Sequence, residues 1–254
     1  MARAKFIKLG PVADVRDFLS KVLEKRGSPE DLWVFRGQLD ATWDPSPQID
    51  RLEFEAYRQR RGWPRARHEG FLLEEFKKGA RPHTQLPPQN QWEWLALAQH
   101  HGLATRLLDW TSNPLGALYF ACEEPVSAAD SAVWCYHHAG EVASAAPDPF
   151  AIKRITAYWP PHVTQRITVQ GGCFTAHPPV TPRLGTTWPG DLRQIIVPSA
   201  ERRGMRLALT QLGITRSTLF PDLDGIAFAT NRRVSADRPM QAPVPKPTRK
   251  RTRA

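Results

Sequence analysis

Residues 99–121 constrain this chain more than any other stretch: Gln99-His-His-Gly-Leu-Ala-Thr-Arg-Leu-Leu-Asp-Trp-Thr-Ser-Asn-Pro-Leu-Gly-Ala-Leu-Tyr-Phe-Ala121. The first part, with Gln99, His100, His101, Thr105 and Arg106, is dense in hydrogen-bonding groups. Arg106 to Trp110 is short, apolar in the middle and bounded by polar residues, which predicts a strand. Pro114 to Glu123 reads as a buried helix. Ser112 or Asn113 is its expected N-cap, and Pro114 its first helical residue, where a missing N–H costs nothing. A loop, a strand and a helix start in so few residues hold polar groups rigidly. The N–H groups at the Asn113-Pro114 end also favour an anion.

On either side of this block the pattern mixes helices and short strands. Val12, Val15, Phe18, Leu19, Val22 and Leu23 recur at helical spacing, so a first helix is expected from about Ala13 to Lys25. Leu32-Trp-Val-Phe35 predicts a buried strand that ends at Arg36-Gly-Gln38. Helices are expected over Glu53–Arg61, over His68–Lys78 and from Trp92 to His100, where Gly102 stops the last of them. Strands follow at Ala132–Tyr136, Gln165–Phe174 and Arg193–Val197. Thr175–Gly190 reads as a long loop or flap, Ala200–Gln211 as a helix, and Thr215–Asn231 as a turn leading into a last helix. Without a regular βαβ alternation, the fold class is α+β. Residues 1–30 are expected to contribute an N-terminal helix, 31–235 the folded domain and 236–254 a tail.

Charge is distributed unevenly. The net charge is +10, but Arg238 to Ala254 holds six basic residues, no acidic ones and Pro239, Pro243, Pro245 and Pro247. That composition predicts an extended, disordered basic arm. The arm either touches nucleic acid or an acidic partner, or merely solubilises the chain. Arg58, Arg60, Arg61, Arg65 and Arg67 form a second cluster, read either as a phosphate-facing patch or, more simply, as a solvated helix face. No apolar run approaches the roughly 20 residues that span a bilayer. The three cysteines, Cys122, Cys135 and Cys173, lack C-x-x-C spacing, which points to packed thiols in a reducing, cytoplasmic setting. His137, His138 and His177 show no metal-ligand spacing. No P-loop, G-x-G-x-x-G or G-x-S-x-G is present.

Five segments together resemble the FRG domain family, which takes its name from a Phe-Arg-Gly motif. They are Trp33-Val-Phe-Arg-Gly-Gln38, Pro47-Gln-Ile-Asp-Arg51, Gln99 to Thr111, Arg166-Ile-Thr-Val-Gln-Gly-Gly-Cys-Phe174 and Phe220-Pro-Asp-Leu-Asp-Gly225. The resemblance runs from about Leu32 to Ala229. Ala104 departs from it, standing where the family usually has proline. A weaker resemblance is to ADP-ribosyltransferases of the Arg-Ser-Glu type. Phe35-Arg36-Gly37 looks like their strand-end Arg-Gly. Asp109-Trp-Thr-Ser112 followed by the Pro114 helix looks like their second element. Gln170 stands where a glutamate is expected, and a neutral amide stabilises developing positive charge less well.

That second resemblance implies two small mixed or antiparallel sheets split around a bound NAD, with helices outside. Arg36 would clamp a phosphate or a ribose hydroxyl through its planar fork; otherwise it forms a structural pair with Asp109 or Asp50. Gly37, Gln38, Gln99, Thr105, Arg106, Asp109, Thr111 and Ser112 are the further candidates to bind the cofactor. Arg106 and Asp109 lie three apart on a strand, so they point to opposite faces. Gln170, or an acid such as Glu201 or Asp222, would take the carboxylate role. His100 is an acid/base candidate by its intrinsic pKa, although a histidine at a helix end is more often a packed hydrogen-bonding group. Of the tryptophans, most are expected in the core. Two functions follow: an NAD-dependent transferase that modifies nucleic acid or protein as a bacterial or phage-defence toxin, with a protein acceptor or an antitoxin as its protein partner, or a non-catalytic nucleic-acid-binding or protein-interaction module. Convergence of Arg36, Gln99, Thr105, Arg106 and Thr111 on one cleft separates the two.

Overall fold

The computed structural model describes residues 6–24, 32–84, 87–123, 128–138, 148–160, 171–179 and 188–235. Within them are seven strands and eight helices: β1 Phe6–Pro11, α1 Val15–Leu23, β2 Trp33–Gln38, α2 Leu52–Arg61, α3 Arg65–Ala80, α4 Gln91–His100, β3 Leu107–Thr111, α5 Pro114–Ala121, β4 Ser131–His138, β5 Thr156–Tyr158, β6 Gly172–Ala176, β7 Gly190–Val197, α6 Arg202–Gln211, α7 Arg216–Leu219 and α8 Leu223–Ser235. The α+β reading holds. Gln170, most of the strand expected at Gln165–Phe174, residues 180–187 of the flap and the tail from residue 236 lie outside the described residues.

The strands make one mixed sheet in the order β1-β7-β4-β2-β3-β6-β5. This corrects the expectation of two separate sheets, although the sheet has a weak seam. β2 and β4 pair at six positions, from Trp33↔His137 to Gln38↔Ala132. β3 and β6 pair at five, from Leu107↔Ala176 to Thr111↔Gly172. Between them, β2 and β3 share a single pair, Phe35↔Thr111. The chain thus forms a four-strand half and a three-strand half that separate beyond that point.

Strand alternation explains what covers each face. Trp33 and Phe35 of β2, Val133 and Cys135 of β4, and Ile195 and Val197 of β7 pack under α1, α5 and α6. In the smaller half, Leu107, Phe174 and Ala176 pack with Leu73 of α3 and with Trp92, Leu95 and Ala98 of α4. The opposite face carries Val34, Trp134, Tyr136 and Leu192 from one half and Leu108, Trp110 and Cys173 from the other. This aromatic layer crosses the seam, so burial holds the halves together where backbone pairing is missing.

β1 pairs in parallel with β7, and Val15, Phe18 and Val22 of α1 enter the core beside β2. Residues 6–24 therefore belong to the same folded body as the rest and are not a separate helical unit. α5 is apolar on every side, as a helix wedged between a sheet and other helices must be. Its N-cap is Asn113, whose Oδ1 accepts from the N–H of Leu115 and Gly116 at 3.0 and 3.1 Å. Gly102, at φ +86°, follows α4 as expected.

Candidate functional site

Of the five residues expected to converge, Arg36, Gln99 and Thr105 meet at the seam around Asp109, whereas the Arg106 guanidinium is taken up by Glu69 and Pro149 and the Thr111 hydroxyl by the Asn113 N–H. Arg36 lies one residue past the last β2–β3 pair, and its guanidinium reaches across to the smaller half. Its NH1 donates to the Asp109 carbonyl at 2.9 Å and lies 3.7 Å from the Asp109 carboxylate. That carboxylate accepts from Gln99 Nε2 at 2.9 Å. Gln99 Oε1 in turn accepts from the Thr105 hydroxyl at 2.6 Å, and Thr105 Oγ1 accepts from the N–H of Leu107 at 3.0 Å. A continuous chain therefore runs from α4 through the loop before β3 to the guanidinium on β2. It fixes Asp109 while leaving the Asp109 side chain 56% exposed, beside an Arg36 side chain 16% exposed.

The electrostatics favour an anion. Burial pulls the Arg36 pKa down, Asp109 opposes that, and the like charge of Arg51 lowers it further. An arginine stays protonated under such a load. Arg36 Nε is buried without a hydrogen-bond partner. The guanidinium thus keeps donor capacity and charge that the protein itself does not satisfy.

Below the seam, β6 brings further polar groups to the aromatic face. Thr175 Oγ1 accepts from Trp110 Nε1 at 2.9 Å and lies 3.0 Å from His177 Nε2. His177 is fully buried; burial first, then Arg65, Arg36 and Arg106, push its pKa down to about 3. It is therefore a neutral packed imidazole and no acid/base group at neutral pH.

Several expected cofactor ligands serve the fold instead. Arg106 is 0% exposed and stands just before β3. Its Nε and NH2 grip Glu69 of α3 at 3.1 and 2.6 Å, and its NH1 donates to the Pro149 carbonyl at 2.6 Å. Arg106 is thus corrected from a cofactor ligand to the centre of a buried ion pair. Gly37 faces α5: a Cβ there would lie 2.1 Å from the Ala117 carbonyl oxygen and 2.6 Å from the Ala121 nitrogen. The glycine of Phe35-Arg-Gly37 is required for helix–sheet approach, and no side chain there could meet a ligand. Gln38 is buried, with Oε1 accepting from Trp134 Nε1, and so braces the aromatic layer.

Thr111 is buried and caps the turn, its Oγ1 accepting from the Asn113 N–H at 3.0 Å. Ser112 is exposed at the seam, where its N–H donates to the Gly171 carbonyl at 2.9 Å. Gly171 is the residue after Gln170, so the chain expected to deliver the third motif meets the end of the second. His100 is half-buried next to Gln99, its ring edge-on to His101 at 5.1 Å. Glu201 precedes α6, and Asp222 caps α8 through the Gly225 N–H at 2.7 Å.

Sequence reasoning missed Glu69 and Arg51, and it offered Asp50 as a partner of Arg36 where the structure pairs it with Arg65. Asp50 accepts from Arg65 NH2 at 2.9 Å and lies 2.6 Å from Arg65 Nε. The signal for Arg51 was present in Pro47-Gln-Ile-Asp-Arg51, a segment singled out for its resemblance. Among the described residues, no group of three His, Cys, Asp or Glu side chains could hold a metal ion, and no helix is long and apolar enough to cross a membrane. The segment that carries the seam residues, 31–130, matches the FRG domain family. No curated protein and no solved structure matches the chain.

Proposed function

Residues 31–130 match the FRG domain family, and from that premise we propose that the chain is an NAD-dependent ADP-ribosyltransferase-like enzyme. It would act on a nucleic-acid or protein acceptor as a toxin or phage-defence effector in the cytoplasm. One observation carries this reading. Arg36 and Asp109 face each other across a sheet seam that has a single paired position, with Gln99 and Thr105 holding the carboxylate.

The donor set suits a dinucleotide. Arg36, with Arg51 nearby, offers two guanidinium charges to a pyrophosphate. Asp109 offers an exposed carboxylate to ribose hydroxyls. Bound NAD would supply a sugar carbon joined to a positively charged nicotinamide leaving group. Asp109, held in place before substrate arrives, would stabilise the positive charge that develops on that sugar. It thereby takes the role first expected of Gln170. Ser112, exposed at the strand end, would shape the nicotinamide side. His100, adjacent to Gln99 on α4, is the candidate to accept the acceptor's proton.

The test is incubation of the purified protein with labelled NAD, alone and with RNA, DNA and cell lysate, beside Arg36→Ala and Asp109→Asn. Label transfer or nicotinamide release that both variants lose supports the transferase. A folded protein that neither binds nor turns over NAD with any acceptor leaves the non-catalytic binding module as the better reading.

A further inference from the structure

We propose that the turn between α2 and α3 is a docking surface for single-stranded nucleic acid. The inference rests on the functional reading only in supplying that enzyme with its acceptor; the surface itself is argued independently. Residues 58–67 contain five arginines and no acidic residue. The structure sorts the five into two groups. Arg58 donates to the Ile49 carbonyl at 2.7 Å, and Arg65 is buried against Asp50. These two tie the turn to the 47–51 loop. Arg60, Arg61 and Arg67 are exposed, and none of them has an ion-pair partner among the described residues.

A helix face that is merely solvated distributes both signs of charge and leaves its guanidiniums in water. Here two of the three gather on aromatic rings. Trp63 sits in the turn with the Arg67 guanidinium carbon 4.8 Å and the Arg61 guanidinium carbon 5.8 Å from its ring centre. Arg61 also lies 5.7 Å from the Tyr57 ring. Phe71, 44% exposed, meets Trp63 edge-on at 5.4 Å. Unneutralised arginines beside partly exposed rings combine what a single strand needs: cationic donors for phosphates and flat faces for bases. An acidic peptide would use the charges but has no use for the rings, and a duplex hides the faces of its bases. At the other end of α2, the exposed N-cap residue Arg51 acts electrostatically on Arg36.

The experiment measures binding of a fluorescently labelled mixed-sequence single-stranded RNA to the full chain over a range of salt, with NAD left out. The same strand in a blunt duplex is the competitor. The test variant is Arg61→Glu with Arg67→Glu. The control makes the same charge change elsewhere, Arg16→Glu with Arg203→Glu, both exposed on other helices. A milder pair, Arg61→Gln with Arg67→Gln, is read if the glutamates impair folding.

The proposal expects the single strand to bind more tightly than the duplex. It also expects the test variant to lose about tenfold or more in affinity and the log–log salt slope to fall by about 1.4, at ~0.7 per lost phosphate contact. The control should change far less. Equal losses in test and control variants, or a duplex that competes as well as the single strand, overturns it. NAD turnover without this binding would leave the transferase standing and remove the dock; the reverse result would leave the dock and remove the transferase.

Discussion

The Arg36 guanidinium crosses from β2 to donate to the Asp109 carbonyl at 2.9 Å, where the two strands have ceased to pair. It closes the opened ladder with a side chain in place of a backbone N–H. The carboxylate of the same aspartate stands 3.7 Å away and more than half exposed. An ion pair of that length and exposure is worth under about 1 kcal/mol. The pair is therefore poorly explained as a stabilising device. It holds two opposite charges close together, oriented and only weakly neutralised, which is what a ligand carrying both phosphate and ribose would use.

Asp109→Asn should separate function from stability. The amide can still accept from Gln99, and the lost charge contributes little to folding. Unfolding free energy is expected to stay within about 1 kcal/mol of the parent, while NAD turnover falls by at least about a hundredfold, as for other losses of transition-state charge stabilisation. Denaturant melts and nicotinamide release measured on the same preparations decide this. A stable variant with full turnover would remove Asp109 from the mechanism.

Gly37→Ala is expected to be severe for a different reason. The added methyl would meet the Ala117 carbonyl oxygen and the Ala121 nitrogen, both backbone atoms of α5, at 2.1 and 2.6 Å. Neither can swing aside as a side chain tip could, so α5 must shift off β2. A loss of about 3 kcal/mol or more follows from such overpacking. It would appear as a lower urea midpoint or as a failure to recover folded protein. A variant as stable as the parent would show that α5 is free to move.

The central block was legible because its signals are local. The β3 strand, the α5 helix with Pro114 at its start and the stop at Gly102 all depend on residues within a few positions of one another. What was not legible depends on partners far along the chain. Nothing near Arg106 announces Glu69, 37 residues earlier on α3. Without that partner a strand-end arginine reads equally well as a ligand. Gly37 looked like a ligand-approach glycine because the helix that crowds it begins 77 residues later. β5 escaped notice because three residues carry too little alternation to identify a strand, and β1 because Phe6-Ile-Lys-Leu-Gly-Pro11 does not alternate and ends in the strand-breaking Gly10-Pro11.

The Glu69–Arg106 pair gives a direct test of that correction. Both side chains are almost wholly buried, and the contact is bidentate. Glu69→Gln strands a buried guanidinium charge and should cost about 3–5 kcal/mol, whereas replacing both partners, Glu69→Leu with Arg106→Met, should cost less than the single change. Chemical denaturation of the three proteins measures the order. If Arg106 instead contacted substrate, the double variant would fold well yet lose NAD binding as completely as Arg36→Ala.

The three cysteines should be silent in the folded chain. All are buried, and burial pushes the Cys122 and Cys173 thiols up to about 12. The thiolate is the reactive form, so a thiol reagent at neutral pH is expected to modify them only at the rate of unfolding. Rapid labelling of one cysteine in native buffer, read by mass, would show that its surroundings open.

His177 should shape acid stability. Its folded pKa is about 3 against an ordinary 6.5, so the unfolded chain takes up a proton between those values while the native chain does not. Stability from this group is therefore complete above about pH 6.5 and declines as pH falls, by ~1.4 kcal/mol per pH unit for one proton, until about pH 3. His68, also lowered by burial, acts in the same direction. Replacing His177 by Gln, which can still bond Thr175, should flatten the fall in urea-unfolding free energy between pH 6 and 4.5 by about one proton's worth. An unchanged slope would mean that the histidine finds a partner for its proton in the native state. The arginines around it, Arg65, Arg36 and Arg106, would then have to lie farther from the ring than the fold places them.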